Sequence, residues 1–470
     1  MQGSKLQELV TNLDKKEISS FKKFLRSPFF NHREDVIDLF DWMIRQQKRS
    51  KPIWAKEAVF EAIFPGIAYS ERDINLLMSY LFRLLEQFLS IQILLHDKVN
   101  MKYHLMQNYK QRNLPKHLQY TLNSLQNALE EQSLKDGPYY EKYRDLYWTT
   151  YQNEVSQKPS GNLHLEKLSE LTDIAYYTQK IRQICLVTAH QAVYSVEYKT
   201  AHQLSQSFFP QLEEKNLIQI PAIGIYYHGY FLLRDEDDQN HFKTFKQLLF
   251  EKGKQVGLQE IRELYLIAIN YCIKQVNKGN KSFFGEMLSL YQKGLEAKVL
   301  IEHGKISRFT YHNVVAAAIQ TEEFDWAKVF INDYRKYLDE PYIKDSYFFN
   351  MARLEYALHN YDAAQAYINK AHFQDVLLHL GAKAITLKIY YTLQEIDLLE
   401  AHLNAMDNFI RRNRVIGYHK KNYLNIIRYT KKLIGINFYD KEALHNLSEK
   451  IEKEEILTEK DWLLTQLNNH

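Results

Sequence analysis

The sequence predicts an all-α protein: an N-terminal helical bundle followed by a solenoid, a stack of antiparallel helix pairs. Three observations carry that expectation. Asn313 and Asn350, Phe324 and Tyr361, and Ala327 and Ala364 are each separated by the same interval of 37 residues. A fixed period in the range of roughly 20–50 residues is the signature of stacked supersecondary units. Gly (15) and Pro (9) are scarce in a chain of 470 residues, which leaves too few turn formers for an all-β fold. Apolar residues recur at helical spacing over most of the length.

The elements follow in order. Asp14-Lys15-Lys16-Glu17 has capping-box spacing and opens a helix carrying Ile18, Phe21, Phe24 and Leu25. Ser27-Pro28 ends it, because a residue before proline is pushed out of the α region. Asn31 is placed to cap the next helix, whose apolar face holds Val36, Ile37, Leu39 and Phe40. The intervening Ser27-Pro28-Phe29-Phe30-Asn31 reads as a hydrophobic staple at a corner. Ser70-Glu71-Arg72-Asp73 repeats the capping pattern ahead of a long helix with Ile74, Leu77, Leu81, Leu84, Leu85 and Phe88 on one face. This bundle occupies 1–100. Residues 101–160 connect it to the repeats through two helices broken at Gly137-Pro138, and Lys158-Pro159-Ser160-Gly161-Asn162 is the strongest linker signal. The repeat solenoid spans 161–435. It includes a long helix over about 163–195 and a helix that Pro221 begins at its first residue. Residues 436–470 supply capping helices. The acidic run Asp235-Glu236-Asp237-Asp238 fails as a calcium loop: counting from Asp235, the sixth and twelfth positions hold Asn240 and Lys246, where Gly and Glu are needed. It reads as a solvated loop capping the next helix.

Composition narrows the class further. Hydrophobic residues form 45% and charged residues 25%, ordinary for a globular chain. The formal charge of +4 is too small to imply nucleic acid by itself. Cys185 and Cys272 sit in apolar runs and read as small buried hydrophobes in a reducing compartment. The first residues lack the apolar core of a signal peptide, and no stretch approaches the roughly 20 apolar residues of a spanning helix. The expectation is a cytoplasmic protein without membrane insertion.

From about residue 300 the repeat is explicit. Tyr311, Val314, Val315 and Ala318 share one helix face, and Phe324, Ala327 and Ile331 share a face of the following helix. One period later Phe348, Met351 and Ala352 pair with Tyr361, Ala364, Ile368 and Ala371. A degenerate third copy holds Leu387, Tyr390, Ile396, Leu399 and Leu403. This pattern resembles the tetratricopeptide repeat, whose first-helix asparagine matches Asn313 and Asn350 and whose second-helix alanine matches Ala327 and Ala364. The signature Trp is replaced by Tyr311 and Phe348, and the terminal Pro is missing. Phe21-Lys22-Lys23-Phe24-Leu25-Arg26-Ser27-Pro28-Phe29-Phe30-Asn31, Glu323-Phe324-Asp325-Trp326-Ala327 and Phe409-Ile410-Arg411-Arg412-Asn413 resemble segments of an uncharacterised family of bacterial tetratricopeptide-like helical proteins. That resemblance implies the fold and brings no activity with it.

Two candidate sites emerge. In tetratricopeptide-like stacks the first helix of each pair lines the concave groove, and the corresponding positions are Asn313, Asn350, Arg353, Tyr356, Lys388 and Tyr391. Asn350, Arg353 and Tyr356 form a drifting stripe on one helix. Asparagine suits a peptide backbone, while Arg and Lys suit carboxylates. The groove is therefore expected to hold an acidic or carboxylate-bearing protein segment, although His312 and Ala316 stand where a carboxylate clamp uses Lys and Asn. The alternative is nucleic-acid binding by a basic patch. Between Asp407 and Asp440 there is no acidic residue, but there are Arg411, Arg412, Arg414, Lys420, Lys421, Arg428, Lys431 and Lys432. No HExxH, paired CxxC, GxSxG, P-loop or GxGxxG motif is present, and His372 with His379 makes a weak metal pair. The sequence reads as a non-enzymatic interaction scaffold with no cofactor and no metal.

Overall fold

The computed structural model describes residues 1–157, 163–193, 198, 208–234, 238–413 and 418–468. The linker at 158–162, acidic residues 235–237 and Arg414 therefore lie outside the described residues. Among the described residues the chain is helical and has no strand, with one isolated bridge between Glu302 and Lys305. The all-α class stands. Contacts divide the chain into two compact units, Met1–Ser133 with Pro138–Ala175 and Leu134–Gly137 with Tyr176–His470. The division thus falls inside the long helix after the linker.

In the first unit, α1 (Lys5–Asn12), α2 (Lys15–Leu25), α3 (Glu34–Gln47), α4 (Lys56–Ile63) and α5 (Glu71–His96) enclose one apolar core. Phe21 stands edge-on to Phe40 at 4.8 Å and lies 5.1 Å from Phe88. Burying each such side chain contributes about 1.5–3 kcal/mol. The Asp14 capping box is complete: Asp14 accepts from the Glu17 amide at 2.8 Å and Glu17 accepts from the Asp14 amide at 2.8 Å. Asn31 does not cap α3, whose N-cap is Arg33 with no side-chain bond. Instead Asn31 is buried and donates to the carbonyls of Leu25 and Arg33, closing the corner from within. The staple is half realised. Phe30 stacks on Phe24 at 4.1 Å, while Phe29 is 85% exposed.

Asp97 ends α5 and caps α6 (Lys98–Gln111). With α7 (Pro115–Glu130) and α8 (Gly137–Gln157), α6 surrounds a second core of Met106, Leu122, Leu125, Leu129, Tyr139 and Leu146. Three helices stand where the sequence suggested two. The missed break is at Asn113, in the left-handed region at φ 53°, followed by Pro115 as first residue of α7.

The second unit takes over α9 (Leu165–Val193) from Tyr176 and contains α10, of which 208–214 are described. It continues through α11 (Pro221–Arg234), α12 (Gln239–Lys252), α13 (Leu258–Asn277) and α14 (Phe283–Glu296). Asp238 caps α12 by accepting from the Asn240 amide, as expected of the end of the acidic run. Both cysteines are buried and unbridged, and burial pushes their thiols up.

Three hairpins follow: α15 (Arg308–Gln320) with α16 (Phe324–Tyr334), α17 (Ile343–Ala357) with α18 (Tyr361–Lys370), and α19 (Val376–Thr392) with α20 (Ile396–Arg412). Each first helix packs on its own second helix, and α17 also touches α15 and α19. The hairpin turns are alike. Glu322, His359 and Gln394 occupy the left-handed region. The next residue's amide reaches back to the carbonyl of Ala318, Glu355 or Tyr390 at 2.9, 2.8 and 3.0 Å. This is the Schellman closure, and it recurs in the third pair, whose sequence repeat is degenerate. Ala327 and Ala364 are fully buried at the helix crossings. Then α21 (Tyr418–Gly435) packs on α20, and α22 (Lys441–Glu452) and α23 (Lys460–Asn468) complete the chain, with α23 against α21.

Candidate functional site

The first helices of the three hairpins, joined by α21 and the turn before α23, enclose a cleft of about 350 Å³. Helical spacing decides what enters it. On α17, Phe349, Arg353 and Tyr356 line the cleft; on α19, Gly381, Ile385 and Lys388 do so. Gly381 is needed for the close approach of these two helices, because a Cβ there would meet the Phe349 ring at 3.0 Å. Tyr423 of α21 and Glu459 close the far side.

The cleft concentrates charge. The Lys388 ammonium, on a side chain 11% exposed, donates to Glu459 Oε2 at 2.9 Å. It also lies 4.6 Å from the centre of the Tyr356 ring, a cation–π distance. The Arg353 guanidinium sits 5.6 Å from the Phe349 ring centre and donates to the His312 carbonyl at 3.2 Å. Burial raises the Glu459 carboxyl, but Lys388 and Arg353 outweigh that and hold it below the ordinary carboxylate range. Burial lowers the Arg353 guanidinium and pushes the Tyr423 hydroxyl up to about 12. Chemically, the arrangement pairs a carboxylate with one lysine, places a second cation nearby, and backs each cation with an aromatic ring.

Of the six groove positions read from the sequence, Arg353, Tyr356 and Lys388 are brought together here. The other three are engaged elsewhere. Asn313 hydrogen-bonds the Tyr291 hydroxyl on α14. Asn350 is fully buried; its amide bonds His312 Nδ1 at 2.9 Å and the Ser346 carbonyl at 3.0 Å. Tyr391 is buried edge-on to Trp462 of α23 at 5.3 Å. Glu459, Phe349 and Tyr423 were not anticipated. No spacing in the sequence links Glu459 to Lys388, which lies 71 residues earlier.

The basic patch lies along α20 and α21. Arg411 pairs with Asp407 at 2.7 Å and Arg428 with Glu454 at 2.7 Å. Lys431 donates to Asn404 Oδ1 at 2.8 Å. Arg412, Lys420, Lys421 and Lys432 are exposed. Among the described residues no group of three or more His, Cys, Asp or Glu is placed to hold a metal, and no helix is long and apolar enough to cross a membrane. Compared with protein-family models, curated proteins and solved structures, the chain matches none.

Proposed function

We propose that this chain is a non-enzymatic binding scaffold, a tetratricopeptide-like stack that recognises a carboxylate-bearing protein segment in the cleft between α15, α17 and α19. The observation that carries the reading is the seat of Glu459. The Glu459 carboxylate is paired with Lys388, in a cleft that Arg353, Tyr356 and Phe349 also line, and the Arg353 charge helps to hold it ionised. Such pairs give orientation and selectivity for an extended acidic segment. Glu459 then acts as an internal stand-in that a partner's acidic side chain displaces. A tethered competitor of this kind acts at an effective concentration of about millimolar and sets the threshold for binding.

The test uses a fluorescent peptide carrying residues 453–461 of this chain, titrated into the full-length protein. Glu459→Lys expels the turn by placing a third cation in the cleft, and Glu459→Gln weakens it without a charge reversal. Both variants should bind the peptide at least about tenfold more tightly than the parent. Lys388→Met added to Glu459→Gln should remove the gain. Absence of binding by either single variant, with helicity retained by circular dichroism, would overturn the reading. Nucleic-acid binding through α21 is the second reading, favoured by the five exposed cations of that helix, Lys420, Lys421, Arg428, Lys431 and Lys432.

A further inference from the structure

Helix α19 is two-sided. Gly381, Ile385 and Lys388 face the cleft described above. His379, Lys383, Thr386 and Tyr390, at helical spacing along another face, line a second cleft of about 620 Å³ against α18 and α20. Lys383 and Lys388 stand five residues apart, about 140° around the helix axis. One helix therefore sends two lysines into two separate clefts.

The two lysines differ in what answers them. Lys388 has Glu459. Lys383 is half-buried and, among the described residues, makes no ion pair or hydrogen bond through its ammonium; its closest charge-directed contact is the Phe409 ring centre at 5.4 Å. His379 is one turn away and clamped between rings, stacked on Phe373 at 5.5 Å and edge-on to Phe409 at 4.5 Å. Its nitrogens likewise have no partner among the described residues. The nearby carboxylate, Asp345, is buried and already accepts the amides of His372 at 3.2 Å and Gln374 at 3.0 Å. His402 gives its Nε2 proton to the Lys383 carbonyl at 2.8 Å. Across the cleft, Gln365 Oε1 is buried with no hydrogen-bond partner. Burial lowers Lys383; burial together with Lys383 lowers His379, against a smaller opposing pull from Asp345.

We propose that this second cleft is a binding site for a small phosphate ester. Its phosphate oxygens would take the Lys383 ammonium and the His379 N–H, and a hydroxyl of the ester would donate to Gln365 Oε1. A tetrahedral oxyanion uses donors arriving from different directions better than a planar carboxylate does, and the cleft is far larger than phosphate alone. The inference is independent of the scaffold reading, because it uses the other face of α19 and leaves Glu459 in place.

Phosphorus NMR of glycerol phosphate titrated with the full-length protein tests it. Saturable line broadening is expected, with the dissociation constant raised at least about tenfold by Lys383→Met, since a charge-assisted hydrogen bond is lost. Lys421→Met, on the exposed basic helix, should leave it unchanged. Lys383→Met removes a half-buried charge that has no ion pair among the described residues, so the variant is expected to fold, and His379→Gln provides a second reading of the same site. Absence of saturable broadening overturns the proposal. So does a response that survives both Lys383→Met and His379→Gln, or one that Lys421→Met abolishes.

Discussion

His312 shows how one buried side chain fixes the chemistry around it. Burial, reinforced by the neighbouring Arg353 charge, lowers its pKa from 6.5 to about 4, and Asn350 is spent on its Nδ1. A groove-clamping asparagine, as the sequence suggested, is thereby turned into a support for an imidazole. The consequence for stability has a definite sign. The unfolded chain binds a proton near pH 6.5 and the folded chain only near pH 4, so this contribution is complete above pH 6.5 and is lost as pH falls towards 4. The loss amounts to about 3 kcal/mol. Urea midpoints should therefore fall between pH 7.5 and 4.5 in the parent, and fall less in His312→Asn. An identical pH profile in the two proteins would rule out His312 as the source.

At the scale of elements, the hairpin turn is the unit that repeats most faithfully. Glu322, His359 and Gln394 each hold a left-handed conformation that favours glycine. Glu322 is exposed, and Glu322→Gly should raise unfolding stability by about 0.5–1 kcal/mol. A urea midpoint unchanged or lowered in that variant would contradict this account of the turn. The same turns explain what the sequence disclosed about the helices. Capping-box spacing and apolar periodicity mark α2 and α5, and Pro221 marks the start of α11, because those signals are local. The break at Asn113 has one local signal, Pro115 at the first position of α7; the left-handed Asn113 itself is visible only in the backbone. Asn31 misled for a related reason: its side chain can serve a helix end or a buried corner, and only packing decides. The third hairpin looked degenerate in side chains but closes with the same backbone bonds as the other two.

At the scale of the whole molecule, the sites are assembled from distant parts of the chain, and that limits what sequence can disclose. On α17, spacing alone puts Arg353 and Tyr356 on one face; Lys388 on α19 joins them, while its spacing partner Tyr391 packs on Trp462 instead. Spacing does not reach Glu459, and it offers His379, on the other face of α19, only as half of a weak metal pair with His372. The basic residues illustrate the opposite error of counting charges without their partners. Arg411 and Arg428 are exposed but paired with carboxylates, and Lys431 is bonded to Asn404, whereas Arg412, Lys420, Lys421 and Lys432 are exposed with no such ion pair. If α21 binds nucleic acid through its five exposed cations, log K against log salt should have a slope no steeper than about −5, and Lys420→Gln with Lys421→Gln should flatten it by about 2 units. A slope unaffected by that double change would exclude the helix as the contact. The Lys388–Glu459 closure also carries a timetable. During synthesis at roughly 5–20 residues per second, the 71 residues between them take on the order of 4–14 s to emerge. Through that interval Lys388 and Arg353 lack the Glu459 carboxylate, so under the proposed reading an acidic segment would meet an unguarded site during synthesis and a guarded one afterwards.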